Sequence, residues 1–155
     1  MAETTTAAGT RQVRGLSVKQ PWTWAICHGG KPVENRTWPV PDGLIGALLF
    51  LHASRSADAG AFADPRIAGL VRMPARRALP AGAVVGTARL VGSHLGTADC
   101  CGPWGDPGAH HWQLEDIRVL STPIPYRGAL GFWRPDAGLR SAVAEALPST
   151  GGEAR

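Results

Sequence analysis

Along the chain the spacing of hydrophobic and polar positions changes period several times, and each change marks an element. Residues 14–19 read as a short strand. Pro21 suits the first turn of a helix that runs to His28 and stops at Gly29-Gly30. Residues 32–38 alternate as a second strand, which Pro39 and Pro41 end before a turn at Asp42-Gly43. Residues 45–53 are apolar almost throughout, the pattern of a central strand covered on both faces. Ser56 is placed to cap a short helix over 57–63, and Asp64-Pro65 to start another reaching Val71. A basic connector over 74–80 leads to a strand at 83–91, then a Gly/Pro-punctuated loop over 92–108. Strands follow at 111–120 and 129–133, with Pro123 and Pro125 restricting the segment between them to an edge or a connection. An amphipathic helix over 137–147 closes the pattern. Short strands interleaved irregularly with short helices exclude a doubly wound sheet and predict an α+β fold, a small, strongly curved mixed β-barrel with short helices packed around it.

Length and composition narrow this further. With 155 residues, one compact domain is expected over 13–147, flanked by small, polar, flexible tails over 1–12 and 148–155. The longest apolar run falls far short of the roughly 20 residues that span a bilayer, and the first ten residues lack an apolar signal core, so a cytoplasmic protein without membrane contact is expected. The odd set Cys27, Cys100 and Cys101 argues against a secreted disulfide framework. The vicinal pair followed by His110-His111 lacks the separation of two to four residues usual in structural zinc sites, so neither metal nor cofactor is expected.

Charge is informative through its distribution. Residues 65–98 hold Arg66, Arg72, Arg76, Arg77 and Arg89 without an acid, and residues 4–33 hold Arg11, Arg14, Lys19 and Lys31 without one. Brought together by the fold, these stretches would make a positive face suited to phosphate backbones.

The densest chemistry lies in 16–38. In an extended 32–38, Glu34, Arg36 and Trp38 share one face, and Lys31, in the preceding Gly-Gly-Lys-Pro turn, is free to swing to the same side. Lysine, carboxylate and guanidinium in one cleft have two uses. They recognise a base edge and its neighbouring carbonyl or phosphate, or they move protons with Lys31 as base or nucleophile and Glu34 as its partner. Gln20, Pro21 and Trp22 stand at the first helix's start, and Trp22 and Trp38 beside cations are candidate stacking platforms, worth roughly 1 to 3 kcal/mol per base. Trp24, Trp112 and Trp133 are assigned to the core. His52 and Ser54 end the central strand near the same cleft, and Glu115 or Asp116 is a candidate second carboxylate, only one of which faces inward in a regular strand.

Leu-Ser-Val-Lys-Gln-Pro-Trp at 16–22, Gly29-x-Lys31-x-x-Glu34-x-Arg36, Leu51-His52-Ala53-Ser54 and His111-Trp112-Gln113-Leu114-Glu115-Asp116 together resemble an ASCH domain of the PUA-like superfamily, over about residues 14–134. The resemblance implies a β-barrel ringed by helices and a cleft beside the first helix that takes RNA or modified nucleobases. It also implies hydrolytic branches, a ribonuclease and an N4-acetylcytidine amidohydrolase. The latter relies on the lysine matched by Lys31 and on a threonine where this chain has Glu34. The function expected first is recognition of RNA, single-stranded nucleic acid or a modified nucleoside by Lys19, Gln20, Pro21, Trp22, Lys31, Glu34, Arg36, Trp38, His52 and Ser54. The alternative is hydrolysis with Lys31 and Glu34 as catalytic residues.

Overall fold

The computed structural model describes residues 11–97 and 100–149. Most of the two expected tails, 1–10 and 150–155, lies outside them, while Gln12 already accepts the Leu48 N–H through its backbone carbonyl at 2.9 Å. Among these residues six strands, β1 (Val13–Val18), β2 (Val33–Arg36), β3 (Leu48–Ala53), β4 (Ala83–Leu95), β5 (His110–Pro125) and β6 (Phe132–Trp133), form one mixed sheet in the order β2-β5-β4-β3-β1-β6. Only β1 and β3 run parallel; all other neighbours are antiparallel. Register shifts along β3–β4 and at three places along β4–β5 add twist to the two long strands. The sheet thereby curls into a half-barrel, with α1 (Trp22–His28), α2 (Pro65–Ala68) and α3 (Ala137–Ala146) packed around it.

Central strand β3 divides the core, as its two-sided apolar pattern requires. Leu49 and Leu51 face the inner cluster with Leu16, Val18, Ile26, Leu90 and Trp112, whereas Phe50 faces Val84, Leu120, Leu139 and Val143 under α3. A third cluster, Ala25, Val33, Ile67 and Trp104, seats α2 and the loop after β4 against α1 and β2. Cys27 belongs to the rim of the inner cluster, and burial pushes its thiol up to about 12. Among the described residues no helix is long and apolar enough to cross a membrane.

Several elements differ in extent from the pattern reading. Asp58, not Ser56, precedes the turn after β3, which is a 3₁₀ helix over Ala59–Ala63. The helix begun by Pro65 is a single turn, capped by the Asp64 side chain accepting from the Arg66 N–H and ended at Gly69. β4 continues four residues beyond Val91, because cross-strand pairing from Gly92↔Gln113 to Leu95↔His110 holds positions that look like loop from glycine content alone. β5 runs through Pro123 to Pro125 because β2 pairs only with Gln113 to His110, leaving that end of β5 free on one side, where a missing N–H breaks no ladder. The last predicted strand contracts to Phe132–Trp133, and the central one begins at Leu48 after a 3₁₀ turn at Asp42–Leu44.

Candidate nucleobase cleft

β2 is the floor of the site. Its alternation buries Val33 in the cluster with Ala25, Ile67 and Trp104 and turns Glu34 and Arg36 to the cavity. Glu34 Oε2 accepts from Arg36 Nη2 at 3.1 Å, Glu34 Oε1 lies 3.7 Å from Lys31 Nζ, and the same oxygen accepts the Asn35 N–H at 3.1 Å. The lysine, only 1 % exposed, also donates to the Val33 carbonyl. Burial holds its ammonium below the ordinary lysine range, against the opposing pull of the Glu34 and Asp106 carboxylates. Arg36 uses Nη2 for both Glu34 and the Ser17 carbonyl at 3.0 Å, so among the described residues its Nε and Nη1 have no protein acceptor. The guanidinium lies 5.7 Å from the Trp38 ring and 5.4 Å from the Trp112 ring.

These groups line a cavity of about 420 Å³ together with Ser17, Lys19, Trp22, Ser54, Asp58 and Asp106, and with Leu130 at its mouth. That size is within the range of small-molecule sites. Trp22 forms one wall. Its Nε1–H donates to Asp58 Oδ2 at 3.0 Å, and Lys31 Nζ and the Arg66 guanidinium lie 5.5 and 5.3 Å from its ring. Asp106 also lines the cavity, held by Arg66 at 2.8 Å, while its backbone N–H donates to Asn35 Oδ1 at 2.9 Å. The lining charges balance, Lys19, Lys31 and Arg36 against Glu34, Asp58 and Asp106, so the hollow offers donors and acceptors rather than a cationic hole. Positive surplus lies next door. Two further hollows of about 550 and 630 Å³ meet the cleft at Ser54, lined by Arg55, Arg76 and Arg77 in one and by Arg55 and Arg127 in the other.

Of the residues expected here, Lys19, Trp22, Lys31, Glu34, Arg36 and Ser54 are brought together around the cavity. Pro21 and Trp38 lie elsewhere, while Gln20 and His52 line one each of the two adjoining hollows rather than the cavity itself. Gln20 is 4 % exposed and engaged at both ends of its amide, Oε1 accepting the Trp24 N–H at 2.9 Å and Nε2 donating to the Pro80 carbonyl at 3.1 Å. Pro21 is buried at the start of α1. Trp38, 45 % exposed, packs edge-on against Trp112 outside the cleft. His52 is a satisfied core histidine: Nε2–H donates to the Tyr126 carbonyl at 2.7 Å, and Nδ1 accepts from the Ser17 hydroxyl at 3.0 Å.

The second carboxylate is a correction. Glu115 and Asp116 are both exposed on β5, Asp116 at φ 50 in a register shift and paired with Arg118, and neither reaches the cleft. Asp58 and Asp106 take that place. Both sit in irregular segments without periodicity, so no spacing in the sequence singles them out. The basic stretches also divide: Arg66 is neutralised by Asp64 and Asp106, and Arg14 lies with Arg134 and Arg140 on another face.

No protein-family profile matches the chain, and no curated protein does. Among solved structures, the crystal structure of ASCH from Zymomonas mobilis superposes with a TM-score of 0.54 at 15 % identity, covering 89 % of this chain and 97 % of that one. The chain therefore has an ASCH-like fold.

Proposed function

We propose that the cleft beside α1 binds a nucleobase of RNA or single-stranded nucleic acid, and that the arginine-lined hollows opening from its rim carry the flanking phosphates. One observation carries this reading: a charge-balanced cavity with spare guanidinium donors meets two arginine-lined hollows at Ser54. Arg36 Nε and Nη1 serve a base carbonyl, and the Asp58 and Asp106 carboxylates accept from a base amino group. Trp22 and Leu130, the latter 98 % exposed at the mouth, supply apolar contact, and Lys19 meets a phosphate. Lys31 and Glu34 hold Arg36 in place from beneath. The test is fluorescence anisotropy with labelled single-stranded RNA. Engagement of three or four phosphates gives a slope of log K against log salt of about −2 to −3. Lys31→Ala with Arg36→Ala lowers affinity at least about tenfold, some 1.4 kcal/mol. No binding at low salt, or affinity indifferent to the double change, refutes the proposal.

A second reading rests on Lys31 with Glu34: burial lowers the lysine's proton affinity against the opposing pull of the carboxylate, the arrangement of a general base or nucleophile. If the site is hydrolytic, incubation with N4-acetylcytidine yields cytidine, or labelled RNA is cut in a Glu34-dependent manner, and Lys31→Ala abolishes turnover. Intact acetylcytidine on chromatography, with RNA cutting unchanged in Glu34→Ala, removes it.

A further inference from the structure

The loop after β4 brings together four side chains that the nucleobase cleft does not use. His94 at the end of β4 and His111 at the start of β5 are cross-strand partners, with ring centroids 5.2 Å apart. Between them, Cys100 Sγ lies 3.3 Å from His94 Nε2 and 3.2 Å from His111 Nδ1, and Cys101 Sγ lies 3.4 Å from His94 Nε2. All four donor atoms are within 4.8 Å of one another. A tetrahedral ion with bonds of about 2.3 Å to sulfur and about 2.0–2.1 Å to nitrogen sets its donors about 3.3–3.8 Å apart, close to the three sulfur–nitrogen separations above.

Three further features fit a metal centre. In a regular extended chain, adjacent cysteines would point to opposite sides. Cys101 instead adopts φ 64, a left-handed conformation uncommon for a residue with a side chain, and both thiols face His94 Nε2. His111 Nε2 lies 2.7 Å from the Asp106 carbonyl. A carbonyl only accepts, so Nε2 carries the proton and the Nδ1 lone pair points at sulfur, the second-shell arrangement of a metal-ligating histidine. Finally, the fully buried His111 ring sits against two glycines: a Cβ on Gly96 or Gly105 would fall 2.1 or 2.5 Å from its atoms.

We propose that His94, Cys100, Cys101 and His111 bind one zinc ion. Two thiolates and two neutral imidazoles make a closed, charge-neutral tetrahedral set, the composition of a structural rather than a catalytic site. Binding releases the two thiol protons, so affinity falls in acid. The ion ties the β4 end, the loop and the β5 start together. Because His111 bonds the Asp106 carbonyl and Asp106 and Trp104 are bonded to Asn35, it also fixes one wall of the cleft.

Metal analysis of the reduced full-length chain after gel filtration tests this, with cobalt titration of the chelator-treated protein as the second measurement. Expected are about one zinc per chain, the intense visible bands of tetrahedral cobalt with sulfur-to-metal charge transfer, and protection of two thiols from a disulfide reagent until zinc is removed. Cys27 reacts slowly in either form. His111→Ala and Cys100→Ser lose the cobalt bands, whereas His110→Ala, one residue away, keeps them. The proposal is overturned by zinc below about a tenth per chain together with no tetrahedral cobalt spectrum in the folded parent, or by a spectrum unchanged in Cys100→Ser and His111→Ala. Neither outcome depends on RNA binding.

Discussion

Glu34→Ala lowers folding stability at neutral pH by about 3–5 kcal/mol, the loss typical of removing one partner from a buried ion pair. The carboxylate is 6 % exposed and stands between two cations, Lys31 Nζ at 3.7 Å and Arg36 Nη2 at 3.1 Å. Without it, Arg36 retains the Ser17 carbonyl and some solvent, but Lys31 is enclosed with only the more distant Asp106 as counter-charge. The loss has a defined pH dependence. Burial already holds the lysine below its ordinary range and Glu34 opposes that shift, so in the variant Lys31 gives up its proton at a lower pH than in the parent. Above that point the unfolded variant binds more protons than the folded one, and its stability rises with pH while the parent's does not yet do so. The deficit is therefore full at neutral pH and narrows as the solution is made alkaline. Urea unfolding at pH 7 and pH 9 reads both quantities, and Lys31→Met combined with Glu34→Leu recovers much of the loss because the ions leave together. A deficit under about 1 kcal/mol, or one that widens with pH, contradicts the buried ion pair.

Trp112→Ala is expected to lose a comparable 3–5 kcal/mol, the usual range for deleting a fully buried tryptophan. Its ring is inaccessible, stacks on Phe132 at 5.0 Å and meets Trp38 edge-on at 5.9 Å, and Nε1–H donates to the Trp38 carbonyl at 2.9 Å. Trp112→Phe keeps an aromatic face but leaves the carbonyl without its donor and opens part of the indole's volume, for roughly 1–3 kcal/mol. Arg36 lies against the same ring, so either substitution also loosens a cleft donor, and under the proposed function RNA affinity falls even where the protein remains folded. Thermal unfolding with anisotropy on the same preparations separates the two effects. A Trp112→Ala protein with unchanged midpoint would remove this residue from the centre of the core.

Local order was legible wherever one chemical pattern dominated a segment. The run ending at His52 marks a strand covered on both faces because lipophilic side chains on successive residues must be buried both ways, and β3 is that strand. Pro21 and Gly29-Gly30 bracket α1 because the proline lacks an N–H the first turn does not need and Gly30 takes the left-handed φ of 74 that follows the helix. The convergence of Lys31, Glu34 and Arg36 also follows from β2's period of two and the freedom of the turn before it.

Partners distant in the chain decided the rest. Gln20 and His52 are polar residues beside the cleft in sequence, yet Pro80 and Tyr126 engage them inside the protein. Asp58 and Asp106 carry no periodic mark and become cleft carboxylates only because Trp22, Arg66 and Asn35 fix their segments. The vicinal cysteines have no metal-like spacing, and only the register that sets His94 opposite His111 brings two imidazoles to them, the arrangement on which the proposed zinc site rests. Alternation and punctuation act between neighbours, so the sequence by itself determined which segments are extended, helical or turned. Strand register and the satisfaction of buried polar groups join residues dozens of positions apart, and only the tertiary structure could assign them.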